Sequence, residues 1–169
     1  MDLVRLRSGR EVAIRPIRGD DGERLEAAHA RLSPDSRYRR FHAAKPSLTA
    51  QEVRYLTEVD QRDHVALIAT SADDAELIIG VGRFVRDETD ASAAEFAIVV
   101  GDPYQGEGLA TELLRRLADA ALALGIARFT ASVLADNEPA HRLLRRLAGQ
   151  FAERSRSGSI DELTVDLAA

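Results

Sequence analysis

Tyr104-Gln105-Gly106-Glu107-Gly108-Leu109-Ala110-Thr111 decides how this chain is read. The stretch follows an apolar run, Phe96-Ala97-Ile98-Val99-Val100, and opens a Leu/Ala-rich segment that ends near Leu124. That order predicts a strand, a glycine-containing loop and a helix N-terminus. The first turn of a helix carries unpaired N–H groups and a partial positive charge. Glycine adopts positive φ and lets the main chain approach a bulky anion. Together these features make a phosphate site. The expected ligand carries phosphate or pyrophosphate, held by main chain at residues 105–111.

Upstream, His64–Ser71, Glu76–Arg86 and Ala93–Val100 are β-like runs separated by polar turns, which predicts an antiparallel meander. Gly80 and Gly82 mark candidate bulges. Leu3–Leu6 and Glu11–Pro16 flank Ser8-Gly9 as a hairpin. Leu25, Ala28 and Leu32 share one face of a helix that follows Asp20. Ser33-Pro34-Asp35 breaks it and starts a second helix through Phe41. Thr49-x-x-Glu52 has capping-box spacing and opens a third.

Downstream, the helix after the loop runs from about 108 to 124 and stops at Gly125. Arg128–Leu134 is a strand. Pro139 opens a helix to about Leu147, and Ile160–Leu167 is a last alternating strand. A meander followed by a strand–helix–strand crossover predicts an α+β fold, with a mixed and mostly antiparallel sheet flanked by helices. No repeat, low-complexity block or linker interrupts the chain, so a single domain over 1–169 is expected.

Composition narrows the function classes. The chain has 169 residues, 45% hydrophobic and 30% charged, as in globular proteins rather than disordered ones. No apolar run is long enough to span a bilayer, and the first residues lack the layout of a secretory signal. A cytoplasmic location without membrane association is expected. Cysteine is absent, which excludes disulfides, a thiolate nucleophile and Cys–metal sites. The net charge of −5 argues against non-specific nucleic-acid binding. His29, His42, His64 and His141 show no metal-ligand spacing, so no catalytic metal is expected.

Three phosphate ligands can be weighed. A P-loop needs Lys-Ser/Thr after its last glycine, and Leu109-Ala110 stand there instead. A dinucleotide fold places its glycine turn after the first strand of a parallel unit, with an acid about 20 residues on. Here the loop follows a meander strand, and the next strand carries no such acid. The third ligand is coenzyme A. Gln105-x-x-Gly108-x-Ala110 resembles the Gln/Arg-x-x-Gly-x-Gly/Ala motif of GNAT-type N-acetyltransferases. The order of elements resembles that fold along nearly the whole chain. Asn137-x-x-Ala140-x-x-Leu143, after the strand ARFTASVL, matches the family's next cofactor-binding step.

Within that family, VRLRSGREVAIRPIR, LSPDSRYRRF, YLTEVDQRDHVALIA and AEFAIVV look like the acetyltransferase domain of bacterial protein lysine acetyltransferases that act on acyl-CoA synthetases. Those domains are often fused to a regulatory domain, and none is expected within this acetyltransferase-sized chain. The resemblance implies acetyl-CoA as co-substrate. Residues 105–111 would hold the pyrophosphate: Gln105, Gly106, Glu107, Gly108, Leu109, Ala110 and Thr111. The main chain of Ile98, Val99 and Val100 would meet the pantetheine arm, on a strand that splays or bulges there. Asn137 would support the cofactor.

An amine must be neutral to attack a thioester, and a lysine with a pKa near ~10.4 is protonated at pH 7. A base in the acceptor pocket is therefore expected. Glu95 breaks the apolar run Ala93, Ala94, Phe96, Ala97, and the family's base stands in the matching strand. Many relatives place a tyrosine acid where this chain has Leu144. His141 is expected on a solvated helix face. The family's Gly-aromatic pair is offset here, at Ala148-Gly149-Gln150-Phe151.

Acceptor selection falls to residues 20–63, with Arg37, Tyr38, Arg39, Arg40, His42, Asp60, Arg62 and Asp63. Asp60 or Asp63 would attract a lysine cation, while most of the others form a solvated charged face. The expected partner is a protein with an acceptor lysine, an acyl-CoA synthetase being the candidate, and the expected state is a monomer or homodimer. Two alternatives stand beside it. One is a small-molecule amine N-acetyltransferase. The other is a non-catalytic acyl-CoA-binding domain, motivated by Leu144.

Overall fold

A computed structural model describes residues 1–148 and 153–167. The expected Gly-aromatic region at 149–151 lies outside the described residues. Eight strands form one sheet: β1 (Asp2–Arg5), β2 (Glu11–Pro16), β3 (His64–Ser71), β4 (Ile78–Arg86), β5 (Ala93–Val100), β6 (Arg128–Leu134), β7 (Glu153–Ser157) and β8 (Ile160–Asp166). The spatial order is β1-β2-β3-β4-β5-β6-β8-β7. Every neighbouring pair is antiparallel except β5 and β6. The fold is α+β, as the order of elements predicts.

The parallel pair follows from the crossover helix α4 (Leu109–Ala123), which returns the chain to the same end of the sheet. Its Leu109, Leu113, Leu114, Leu117, Ala118 and Ala121 are buried at helical spacing. They pack on the face carrying Phe84, Phe96 and Phe129, whose rings lie 5.2–5.5 Å apart in the two successive pairs. Leu144 of α5 (Glu138–Ala148) joins this cluster. The opposite face carries Ala66, Ile68 and Val81 against Ile17 and Leu25, under α1 (Gly22–Arg31) and α3 (Ala50–Thr57). Between those two helices runs α2 (Pro34–Phe41).

Gly80 and Gly82 divide their expected roles. The ladder shifts register between Ala69, opposite Gly80, and Thr70, opposite Ile78, so the extra residue of the bulge is Ile79, next to Gly80. Gly82 stays in register with Leu67 and Ile98. A Cβ there would stand 2.9 Å from Leu117 Cδ1, so the glycine lets α4 approach the sheet. Strand β7 has no apolar alternation (Glu-Arg-Ser-Arg-Ser), and sequence periodicity does not find it.

Candidate functional site

Strands β5 and β6 pair over three rungs only: Ala93 with Arg128, Ala94 with Phe129 and Glu95 with Thr130. Beyond that rung they part. A cleft of about 630 Å³ opens between Phe96–Val100 and Ala131–Val133. On its other edge β5 remains paired with β4 through Val100. The β5 edge facing the cleft can thus take an extended ligand as an added strand.

The glycine loop closes one end. Gly106 and Gly108 hold φ of +75° and +95°, values that favour glycine. No side chain caps the N-terminus of α4 at Gly108. By contrast, Ser33 and Thr49 cap α2 and α3 with their own hydroxyls. The first-turn N–H groups of α4 are therefore left to face the cleft, which fits a phosphate-bearing ligand. Gln105, Gly106, Gly108, Leu109, Ala110 and Thr111 all line it, as do Ile98, Val99 and Val100.

Glu107 turns the other way. Its carboxylate pairs with Arg10 and accepts from Ser8 Oγ at 2.7 Å, and its carbonyl accepts from Arg7 N–H at 3.1 Å. The β1–β2 hairpin thus clamps the loop from outside. Arg10 also lies 4.3 Å from the Tyr104 ring and donates to the Pro103 carbonyl at 2.8 Å. These partners are more than ninety positions apart in sequence, and no local signal joins them.

Gln105 Nε2 donates to the Val100 carbonyl at 3.0 Å and to Ser36 Oγ at 3.2 Å. Asp102 accepts from Ser33 N–H and Ser36 Oγ, and these bonds hold its carboxyl below the usual range although burial pushes it up. The N-terminus of α2 is thereby fastened to the loop. Across the cleft, Asn137 Oδ1 accepts from Ala140 N–H at 3.4 Å, in the first turn of α5. Its side-chain amide has no protein acceptor among the described residues, and the residue lines the cleft.

Glu95 stands on the opposite sheet face from Phe96, exposed, at the point where the strands part. Its register partner on β4 is Val85, one alternate position from Arg83. Arg83 is 5% exposed; its Nη1 donates to the Leu56 carbonyl and meets His64 Nε2, both at 3.0 Å. Burial, then the Arg83 charge, pushes the His64 imidazole down to about 4, so it is neutral at physiological pH. Arg40 lines the cleft and lies 4.7 Å from the Phe41 ring. Burial lowers its pKa, and the charge of Glu95 opposes that shift.

Asp60 and Asp63 have other employment. Asp60 Oδ1 accepts the N–H groups of Arg62, Asp63 and His64, each at 2.9 Å. Asp63 pairs with Arg86 at 2.8 Å. Of the charged residues expected on the acceptor side, Arg39 and Arg40 reach the cleft. Leu144 lines the cleft and is 1% exposed, with no acid in its place. His141 is buried, not solvated: Nε2 lies 3.3 Å from the Leu134 carbonyl and 3.5 Å from Asp161. Arg7, Arg142 and Arg146 also line the cleft and form no ion pair among the described residues. No cluster of three metal-ligating side chains occurs among the described residues.

A family model for the acetyltransferase (GNAT) domain matches residues 11–150. The chain is 33% identical over 162 residues to acetyltransferase Pat of Mycolicibacterium smegmatis, covering 96% of this chain and 48% of that one. It thus spans about half the length of that curated relative. The solved GNAT domain of S. lividans PAT superposes with a TM-score of 0.87 at 33% identity, covering 98% of this chain and 96% of that one. A Salmonella typhimurium acetyltransferase solved with its cofactor acetyl-CoA shares the fold, with a TM-score of 0.68 at 17% identity over 94% and 96% of the two chains. GNAT enzymes use acetyl-CoA as acetyl donor, and the uncapped helix, the two positive-φ glycines and the open β5 edge suit that molecule. On this match and this geometry, the chain belongs to the GNAT acetyltransferase family.

Proposed function

We propose that the protein transfers acetyl from acetyl-CoA to a lysine side chain of a protein by direct attack, with Glu95 as general base. The single observation that carries this reading is the parting of β5 and β6 immediately after Glu95. The base then stands at the last rung before the cleft opens, on the sheet face opposite Phe96. The loop at 105–111 binds pyrophosphate through main-chain N–H groups. The Val100 end of β5 positions the pantetheine arm, and Asn137 supports it. Glu95 takes a proton from the ammonium, directly or through one water, and the free amine attacks the thioester carbonyl. A main-chain N–H on the open β5 edge stabilises the oxyanion. A thiol of pKa near ~8.5 leaves as thiolate without an obligatory acid, which suits Leu144.

The lysine acceptor rests on the likeness to Pat and PAT, with an acyl-CoA synthetase as the first candidate. The test is acetyl-CoA turnover followed by free thiol, with an acyl-CoA synthetase and a panel of small amines as acceptors. Thiol release with the synthetase alone, and acetyl on one of its lysines, is the expected result. Release with small amines alone would transfer the activity to metabolites. Tight acetyl-CoA binding without release from any acceptor would make this a sensing domain.

A further inference from the structure

The donor cleft is cationic in an acidic chain. Among the described residues, Arg7, Arg39, Arg40, Arg142 and Arg146 line it and no carboxylate does, although the sequence has a net charge of −5. Four of these arginines stand on α2 and α5. Arg7 comes from the turn of the β1–β2 hairpin, and that turn is fixed against the glycine loop. Leu6 is buried in the cluster that holds Leu109 and Leu113 of α4. The Arg7 N–H donates to the Glu107 carbonyl at 3.1 Å. Ser8 Oγ and Arg10 both bond the Glu107 carboxylate, and Arg10 reaches on to the Pro103 carbonyl. The hairpin arginines on either side have carboxylate partners: Arg5 pairs with Glu11 and Arg10 with Glu107. The Arg7 guanidinium has no hydrogen bond or ion pair among the described residues. Its Nε lies 3.9 Å from the point where a Cβ on Gly108 would stand, at the uncapped N-terminus of α4.

A bridging diphosphate is charged on both phosphates, while a helix N-terminus supplies only about half a positive charge. A guanidinium fork offers phosphate two parallel N–H groups and a full charge. We propose that Arg7 completes the pyrophosphate site from the hairpin side, so that the donor diphosphate lies between the α4 N-terminus and the Arg7 guanidinium. Glu107, which does not line the cleft, is then a positioning residue: it holds the hairpin, and with it Arg7, at the loop. This rests on the reading of residues 105–111 as the pyrophosphate loop and is independent of the acceptor.

The test measures calorimetric affinities for CoA and for 3′-dephospho-CoA in wild type and in Arg7→Gln, whose fold is checked by its melting temperature. Arg7→Gln is expected to bind both molecules at least ~5-fold more weakly and by the same factor, the scale of one charge-assisted contact at a solvent-accessible site. That factor is expected to shrink toward one at high salt. A loss confined to CoA would assign Arg7 to the 3′-phosphate, and a loss insensitive to salt would assign it to stacking on the adenine. Either result overturns the proposal, as does unchanged affinity for both molecules.

Gly108→Val in the same assay separates this proposal from the loop reading. Weakened binding by Gly108→Val beside unchanged binding by Arg7→Gln rejects Arg7 alone, whereas two unchanged variants reject the loop as well. The role of Glu107 is read by a double-mutant cycle. Glu107→Gln is expected to weaken CoA binding in the wild-type background and to add nothing in Arg7→Gln, because it acts through Arg7. Additive losses would overturn that positioning role.

Discussion

Glu95 and Thr130 form the last rung between β5 and β6, and beyond it Phe96–Val100 and Ala131–Val133 line the cleft. The parallel ladder ends because two different elements pull the strands apart. Val100 stays paired with β4, and its carbonyl accepts from Gln105 Nε2. Leu134 stays on β8 and supports the first turn of α5. The donor loop, the open strand edge and the carboxylate of Glu95 are all positioned by that divergence.

Gly108 is the position where the loop can least accept a side chain. Its φ of +95° puts any L-residue in a strained conformation, although space around it is open apart from Arg7 Nε at 3.9 Å. Gly108→Val should weaken acetyl-CoA binding at least ~10-fold, since a β-branched residue at positive φ costs on the order of 1–3 kcal/mol. Titration calorimetry with acetyl-CoA measures it. Unaltered affinity would show that these N–H groups do not hold the pyrophosphate.

Gly82 tests the packing rather than the chemistry. A methyl group 2.9 Å from Leu117 Cδ1 and 3.5 Å from Ile98 Cγ1 must displace the buried Leu117 side chain between α4 and the sheet. Gly82→Ala should cost about 1–3 kcal/mol, read as a lowered denaturation midpoint with an unchanged slope. Gly9→Ala is a control for positive φ without a neighbour, because nothing lies within 4 Å of its added Cβ.

His64 gives the fold a pH signature. Its imidazole is held near 4 in the folded chain, against about 6.5 when unfolded. Between those values the unfolded chain binds the proton and the folded chain does not, so stability falls as pH drops from about 6.5 toward 4. An NMR titration should find the His64 ring neutral at pH 5.5. A midpoint near 6.5 would contradict the burial and the Arg83 contact.

Much of this architecture was legible in residue order. Capping chemistry placed α2 and α3, and the boundaries of β3, β5 and β6 followed from apolar runs between turn residues. The positive-φ glycines and the helix start of the loop could be read because their chemistry is local, whereas Asn137 was singled out only by the family resemblance. What escaped is nonlocal. The clamp of Ser8 and Arg10 on Glu107 joins residues with no shared periodicity. Asp60 and Asp63 looked available because a charged side chain in sequence does not reveal the backbone N–H groups or the arginine that occupies it. His141 looked solvated because its partner Asp161 lies on a strand twenty residues away. Strand β7 is held by its pairing with β8, and its polar residues carry no pattern.

The most direct test of the central claim is the rate of CoA thiol release by Glu95→Gln against wild type, with acetyl-CoA affinity measured on the same preparations. Glu95 does not line the donor cleft, so affinity should stay within about twofold. The turnover number should fall by about a hundredfold or more at neutral pH, the usual scale for losing a positioned base. An undiminished rate in Glu95→Gln, with the same acceptor and the same affinity, would contradict the account.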